Sequence, residues 1–251
     1  MSAVPHLQLV PGERGELELN TSLVRRFLGI VPDEFLELTA FVKGRPWVAQ
    51  VSSYDDHVRL LREAESIRGF NGSYMLANGP LDPALGARYK PCEWDSAWNG
   101  RASDRDVSVL RAVFLDVDPI RPKGISATET QRLAALEVSR SVEDWLAREL
   151  GDCSPIGHGC SGNGYFTLIA VEPLAPSAET TRRISRLLDV LQKRFGTELV
   201  KIDRTVANPA RLMPCPGTWK RKGTDTPERP HRMTSFSCAP IVRRVPLEAL
   251  A

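Results

Sequence analysis

Two aspartates follow a strongly apolar stretch in the sequence VFLDVDP, which ends at Pro119. Alternation along a strand would place Asp116 and Asp118 on one face, with Val117 on the other. Two carboxylates on one face repel each other unless a cation lies between them. Hard divalent ions prefer such oxygen ligands, together with the phosphates of a substrate. The alternative is a strand that ends in a polar turn at Asp118-Pro119, and this pair alone leaves both interpretations open.

A third carboxylate, Asp203, follows another short apolar segment. A neighbouring strand can bring it to the first two. Two-metal phosphoryl transfer uses that geometry, with one ion activating the attacking 3′-hydroxyl and the other holding the leaving pyrophosphate. Downstream, Arg211 offers a bidentate fork for phosphate, and Lys220 and Lys222 add compact positive charge. The combination predicts a metal-dependent triphosphate site with Mg²⁺ or Mn²⁺ held by the three aspartates.

The loop in CSGNGYF is a further candidate phosphate contact. Gly162, Asn163 and Gly164 form a tight loop whose backbone N–H groups could cradle an anion, and the Ser161 hydroxyl adds a donor. The same sequence is also typical of a plain turn. No GxxxxGK[ST] occurs in the chain, which disfavours P-loop ATP hydrolysis.

Composition narrows the class of protein. The 251 residues, 42% hydrophobic and 25% charged, can bury one substantial core or two small fused ones. No apolar run approaches the roughly 20 residues that span a bilayer, and the N-terminus has no apolar signal core, so we expect a cytoplasmic protein with no membrane partner. The five cysteines form no CxxC pair, which favours reduced thiols. Cys153, His158 and Cys160 lack an evident fourth ligand for structural zinc.

Positive charge is concentrated between Arg204 and Arg244, although the net charge of the chain is only +2. A basic block of this kind suits contact with phosphate or nucleic acid. An ordinary solvated tail is the other interpretation, and charge alone does not separate the two.

The elements that must position these residues alternate between strands and helices. In the first part the pattern predicts a helix at Leu23 to Ile30, strands at Phe35 to Val42, Trp47 to Ser52 and Tyr74 to Ala77, and a helix capped by Asp55 or Asp56 and stopped by Gly69. A turn-rich connection runs from Asn78 to Asp106. In the second part it predicts strands at Val107 to Val117, Tyr165 to Val171 and Leu199 to Ile202. Between them it predicts one helix opened by a Ser126–Glu129 capping box, with Leu133 among its inward residues, and another opened by Ser177. The aspartates stand at strand ends of an α/β (α+β) arrangement.

In order and spacing, these motifs resemble those of the archaeo-eukaryotic primase superfamily, particularly the primase-polymerase domains of phages, plasmids and other mobile elements. Asp116 and Asp118 match its first motif and Asp203 its third. Asn208-Pro209-Ala210-Arg211, Gly217-Thr218 and Lys222-Gly223 follow in the family's order, and the stretch ERPHR also matches. The resemblance covers residues 70 to 235 well and the N-terminal part loosely.

The resemblance implies an RRM-like palm fused to an N-terminal α/β unit, within a single catalytic domain over 1–251. The expected division is an N-terminal unit at 1–106, a catalytic half at 107–240 and a tail at 241–251. It also implies template-directed nucleotidyl transfer, with a DNA template or primer and (deoxy)ribonucleoside triphosphates as partners. Related enzymes often continue into helicase domains, so a helicase or another replication protein is an expected partner.

One position departs from the family pattern. Its second motif ends in a histidine that contacts the phosphates of the incoming nucleotide, and here Phe166 stands at the matching position. His158 is a hypothetical substitute. The departure keeps open a second function, a nucleotide- or DNA-binding module with weak or no synthesis. A two-metal nuclease is a third class, against which Arg211 and the two lysines argue.

Overall fold

A computed structural model describes residues 15–32, 34–79, 81, 92–96 and 100–250 of the protein. The helices in this part are α1 (Glu16–Leu28), α2 (Tyr54–Ser66), α3 (Glu129–Leu150) and α4 (Ala178–Phe195). The strands are β1 (Leu36–Val42), β2 (Arg45–Val51), β3 (Phe70–Leu76), β4 (Leu110–Pro119), β5 (Ile156–Cys160), β6 (Tyr165–Leu174), β7 (Val200–Ile202), β8 (Leu212–Pro214), β9 (Trp219–Lys220), β10 (Arg232–Met233) and β11 (Ser235–Cys238). Short 3₁₀ turns lie at Asp104–Asp106 and Leu247–Leu250. Within the described ranges, each helix is too short or too polar to cross a membrane.

Two antiparallel sheets form the frame. The first has the strand order β2-β1-β3-β8 and the second the order β11-β5-β6-β4-β7, while β9 and β10 form a separate hairpin. The fold is therefore α+β, which confirms the fold class expected from the sequence. The strand β8 lies in the range expected for the catalytic half but pairs with β3 in the N-terminal sheet, Tyr74 facing Pro214. The division of the chain at residue 106 stays a prediction.

The five-stranded sheet has two different faces. Leu115 faces Thr167, and Asp116 faces Phe166, across the β4–β6 pair. Directly paired residues of an antiparallel sheet share a face, so Leu115 and Thr167 belong to one face and the aspartate belongs to the other. Thr167 donates a hydrogen bond to Glu143 of α3. The helix α3 thus covers the first face, called the helix-covered face below, and Asp116 lies on the opposite one, where Phe27 of α1 packs against Phe236.

The four helices predicted from the sequence are present, with corrections at the start of three of them. The helix α1 runs from Glu16 to Leu28, whereas the sequence pattern predicted Leu23 to Ile30. The helix α2 is capped by Ser53, whose hydroxyl accepts from the N–H of Asp56, and not by Asp55 or Asp56. The capping box of α3 consists of Thr128 and Gln131, and the hydroxyl of Ser126 donates instead to the carbonyl of Lys222. The two corrected capping residues, those of α2 and α3, have one cause. Several polar residues stand near each helix start, and tertiary contacts select among them.

Other differences from the sequence prediction concern short strands and one side chain. The strands β5 and β8–β11 have no predicted counterpart, because each has five residues or fewer and carries no clear alternation. Leu133, expected to point inward from α3, is 45% exposed. Part of the turn-rich connection at 78–106 lies outside the described residues. The predicted inward residues Val142 and Leu146 of α3 and Ile184, Leu187 and Leu191 of α4 are buried.

Candidate active site

The three aspartates of the sequence prediction lie at adjoining ends of β4 and β7. Across this pair Val117 faces Ile202 and Asp118 faces Lys201. The N–H of Asp203 donates to the carbonyl of Asp116 over 2.8 Å, which continues the same register by one residue. Since paired residues share a face, Asp116, Asp118 and Asp203 all project from the face of the sheet opposite α3.

Asp116 is the electrostatic centre of this group. Burial, followed by the carboxylates of Asp118 and Asp203, raises the pKa of Asp116 well above its usual range, while Arg211 and Lys201 act in the opposite direction. Two effects disfavour the ionised form of a carboxyl that is buried between two like charges: the loss of hydration and the repulsion by the neighbouring charges. The pairing of β4 with β7 thus brings the three carboxylates within electrostatic range of one another.

The two outer carboxylates have cationic neighbours of their own. Asp118 Oδ1 lies 3.7 Å from Nη1 of Arg121, and Asp203 Oδ2 lies 3.5 Å from Nη2 of Arg211. Asp203 Oδ1 also accepts hydrogen bonds from the N–H and the hydroxyl of Thr205, each over 2.8 Å. These contacts hold the side chain of Asp203 toward its own turn.

In the part of the chain that the structure describes, no group of three or more His, Cys, Asp or Glu side chains lies in an arrangement able to hold a metal ion as it stands. The donor set nevertheless suits one: three carboxylates on one face, the central one with a raised pKa, form a site that a divalent cation would stabilise. Metal coordination by the three aspartates stays a prediction.

The two lysines predicted to bind triphosphate occupy different environments. Burial, and then the neighbouring Arg121, lowers the pKa of Lys222, which lies within electrostatic range of Asp116 and Asp118. The Lys220 ammonium lies 3.8 Å from the ring centroid of Tyr74 in β3. Burial, and then Lys222, lowers the pKa of Lys220 to about 7. Lys222 thus borders the carboxylates, whereas Lys220 contacts the N-terminal sheet.

The glycine loop is built largely from internal contacts. The hydroxyl of Ser161 accepts from the N–H of Gly164 over 2.9 Å, and the side-chain oxygen of the buried Asn163 accepts from the N–H of Ala127 over 2.7 Å. A Cβ on Gly164 would lie 2.8 Å from Asp118 Oδ1, so the loop passes directly against that carboxylate. A Cβ on Gly162 would lie 2.8 Å from Cβ of Lys220. The loop lies against Asp118, and some of its polar groups fix the segment that follows Asp118; its contact with phosphate stays a prediction.

Phe166 is a core residue on the aspartate face. It is fully buried, lies directly across from Asp116, and stacks on Phe236 with ring centroids 6.2 Å apart. Its ring covers Gly159, where a side chain would overlap it. The ring therefore fills the hydrophobic core at the position where the family pattern has a phosphate-binding histidine.

His158 does not replace that histidine. It pairs with Thr167, whose face is the helix-covered one, and its Nδ1 lies 2.7 Å from Oε1 of Glu143 in α3. The hypothesis that His158 reaches the incoming nucleotide is therefore wrong. The physical reason is the two-residue period of the strand, which sends the side chains of His158 and Phe166 to opposite faces.

Several arginines of the basic block at 204–244 form hydrogen bonds or ion pairs within the protein. Arg229 and Arg232 donate to the carbonyls of Ser126 and Ala127, and Arg244 donates to carbonyls of three separate segments. Arg243 pairs with Asp152. These arginines therefore act as clamps between segments, and their charge is not by itself a sign of nucleic-acid contact.

Two cations of the site were missed by the sequence prediction. Lys201 faces Asp118 across β4 and β7, and the guanidinium of Arg121, with its side chain only 7% exposed, lies beside the same carboxylate. The sequence carried a signal for each. Lys201 stands two residues before Asp203 and so shares its face, and Arg121 stands three residues after Asp118.

Comparison with known proteins gives a match among solved structures. No family model matches the chain, and no curated protein matches it. The solved structure of the AEP domain of the cyanophage S-2L primase-polymerase matches with a TM-score of 0.53. The match covers 95% of this chain and 96% of that one, at 15% sequence identity. The fold of the chain is therefore similar to that of this primase-polymerase AEP domain. This likeness agrees with the order of the motifs, and at this identity it extends to the fold alone.

Proposed function

We propose that the protein is a nucleotidyltransferase that adds nucleotides to a primer on a DNA template, starting primers, extending them, or both. The observation that carries the proposal is the convergence of Asp116, Asp118 and Asp203 on one face, with Arg211 and Lys222 beside them. Carboxylates for divalent cations next to cations for a triphosphate are what this reaction requires. The fold likeness to a primase-polymerase AEP domain supports the same function.

In the proposed reaction, Asp116, Asp118 and Asp203 would hold Mg²⁺ or Mn²⁺, which supplies charge neutralisation at the reacting phosphate. Arg211 would leave Asp203 and bind a phosphate oxygen through its planar fork. Lys222 would neutralise the triphosphate beside Asp118, with Lys220 further along the same hairpin. The Ser161–Gly164 loop would limit the space above Asp118, because its backbone passes directly against that side chain.

We expect the site to lie between the two sheets. The loop from β7 to β8 carries Arg211 from the five-stranded sheet to the N-terminal one, and the β9–β10 hairpin carries the lysines. A site between the sheets would place the triphosphate against the residues of the hairpin and leave the primer end to reach the carboxylates from the other side. Exposed cations near this site would hold the template phosphates, which predicts binding that weakens with salt.

The second candidate function is a nucleotide- or DNA-binding module with little or no synthesis. One observation favours it: Phe166 lies in the core across from Asp116, so the position where the family places a histidine offers no phosphate contact. The cations at Arg211, Lys222 and Arg121 supply positive charge for the same task, which is why synthesis remains our first proposal.

Primer-extension and de novo priming assays with Mg²⁺ or Mn²⁺ separate these functions. The first proposal predicts nucleotide incorporation by the wild-type protein that is lost in Asp116→Ala. Triphosphate binding without incorporation would support the module instead. Cleavage of the labelled primer without incorporation would indicate a nuclease and contradict both.

A further inference from the structure

The loop that carries Arg211 is fixed by a residue far from it in sequence. Asp104 lies in the 3₁₀ turn Asp104–Asp106, ahead of β4. Its Oδ1 accepts two hydrogen bonds, one from Nδ2 of Asn208 and one from the N–H of Ala210, each over 2.9 Å. These two donors stand on either side of Pro209, so one carboxylate oxygen spans the turn immediately before Arg211.

The turn that presents Asp104 is itself held in shape. The hydroxyl and the N–H of Ser103 both donate to Oδ2 of Asp106, over 2.6 and 2.7 Å. On the other side, Pro209 has a fixed φ and no N–H to donate. The contact therefore joins two pre-shaped turns, and little conformational freedom is left between Asp104 and Ala210.

Arg211 is held from its other side as well. Its carbonyl accepts from the N–H of Ala77, directly after β3. Its Nη2 lies 3.5 Å from Oδ2 of Asp203, and its side chain is 31% exposed. The buried Nε has no hydrogen-bond partner among the described residues. The backbone of Arg211 is thus fixed at both ends, while its side chain keeps donors that the described part of the chain does not use.

We propose that Asp104 is a positioning residue for Arg211 and, through it, for the triphosphate. It holds the Asn208–Ala210 turn so that the guanidinium faces the carboxylates before a nucleotide arrives. Asn208 then serves as the partner of Asp104 and not as a nucleotide ligand. This inference rests on the proposed function and adds a residue that none of the sequence motifs includes.

The reason to expect an effect is geometric. A bidentate guanidinium–phosphate contact requires both donors in place at once, and small displacements of such groups are costly. Without Asp104 the turn loses two hydrogen bonds to one charged acceptor, and Arg211 must be ordered by the ligand instead of beforehand. The loss should therefore fall on triphosphate binding.

The test is a set of dissociation constants for a non-hydrolysable deoxynucleoside triphosphate in the presence of Mn²⁺. We expect Asp104→Ala to weaken binding about tenfold and Asn208→Ala to weaken it by a similar factor, since each removes a hydrogen bond to a charged group. Asp104→Asn keeps the Oδ1 acceptor and should stay within about threefold of the wild type. Asp152→Ala is the matched control, because Asp152 also accepts the N–H of a nearby turn residue, Ser154, but lies away from the site.

The decisive comparison is made in an Arg211→Ala background. A residue that acts through Arg211 should add nothing there, so Asp104→Ala/Arg211→Ala should bind no more weakly than Arg211→Ala. The same loss in both backgrounds, or no loss in the wild-type background, would overturn the positioning role. If Asp104→Ala does not fold, Asn208→Ala completes the same cycle.

Failure of the proposed function has a different signature. A wild-type protein that binds no triphosphate overturns both proposals together. Binding by the wild type that is weakened in Arg211→Ala but unchanged in both Asp104→Ala and Asn208→Ala overturns this inference alone.

Discussion

The two faces of the five-stranded sheet both carry titratable side chains, but the surroundings of these side chains differ. On the helix-covered face, Oε1 of Glu143 accepts from Thr167 and pairs with His158, so each polar group has a partner. On the other face, Asp116 lies among carboxylates that raise its pKa. The comparison teaches that carboxylates crowded together at strand ends, and not the presence of His or Glu, mark the candidate site.

The largest expected effect is the loss of a carboxylate from the aspartate face. Asp118→Ala should reduce metal-dependent nucleotide incorporation by about 10³-fold or more, because a metal ligand contributes several kcal/mol to stabilisation of the transition state. Asp189→Ala is the control, since Asp189 is an exposed carboxylate on α4 that pairs with Arg204. If the incorporation rates of the two variants lie within tenfold of each other, Asp118 does not take part in the reaction.

The second prediction concerns the aromatic cluster that supports the same face. Phe166→His places a polar ring between Phe114 and Phe236 and should lower the free energy of unfolding by about 2–4 kcal/mol. It should not raise the incorporation rate, because this position points into the core. Chemical denaturation and primer extension measure the two effects. A faster and equally stable variant would show that residue 166 reaches the nucleotide.

A smaller effect is expected from removing the charge of Asp116 without changing its size. The pKa of Asp116 is raised in the folded protein, so its contribution to stability is present below its ordinary pKa and is lost as the pH rises through the folded-state value. At neutral pH and without metal, Asp116→Asn should therefore raise the melting temperature by about 2–4 °C.

The same variant should lose the stabilisation that Mn²⁺ gives to the wild type. Melting curves with and without Mn²⁺ measure both effects, with Asp189→Asn as the control. A lower melting temperature for metal-free Asp116→Asn at neutral pH would contradict the electrostatic description of the site.

The smallest effect on activity is expected on the helix-covered face. His158→Ala removes a pair with Glu143, which keeps the hydrogen bonds from Thr167 and Ser139. Incorporation should stay within about threefold of the wild type, with a stability loss of about 1 kcal/mol. A loss approaching that of Asp118→Ala would break the distinction between the two faces.

The sequence was informative where a pattern is local. Strand alternation was enough to place Asp116 and Asp118 on one face, and the spacing of apolar residues located α3 and α4. Asp203 could be joined to them only through the order of motifs, since no local rule pairs β7 with β4. The same limit explains the failure with His158, because the face of a short strand depends on a register that tertiary packing sets.

The contacts that hold the site together were beyond prediction for a related reason. Asp104 meets Asn208 across more than 100 residues, and Arg229 and Arg232 reach back to the segment after Asp118. Charge density suggested that the basic block contacts phosphate, whereas several of its arginines bind backbone carbonyls. The sequence around a single residue does not indicate which distant residue it will contact.

The central claim is that the carboxylate face binds divalent metal together with a triphosphate. Electron paramagnetic resonance of Mn²⁺, titrated with protein and a non-hydrolysable deoxynucleoside triphosphate, measures protein-bound metal directly and needs no turnover. We predict protein-bound Mn²⁺ for the wild type and loss of that binding in Asp116→Ala/Asp118→Ala, with Asp189→Ala unchanged. Equal Mn²⁺ binding by the wild type and the double variant, or none by the wild type, would contradict the account.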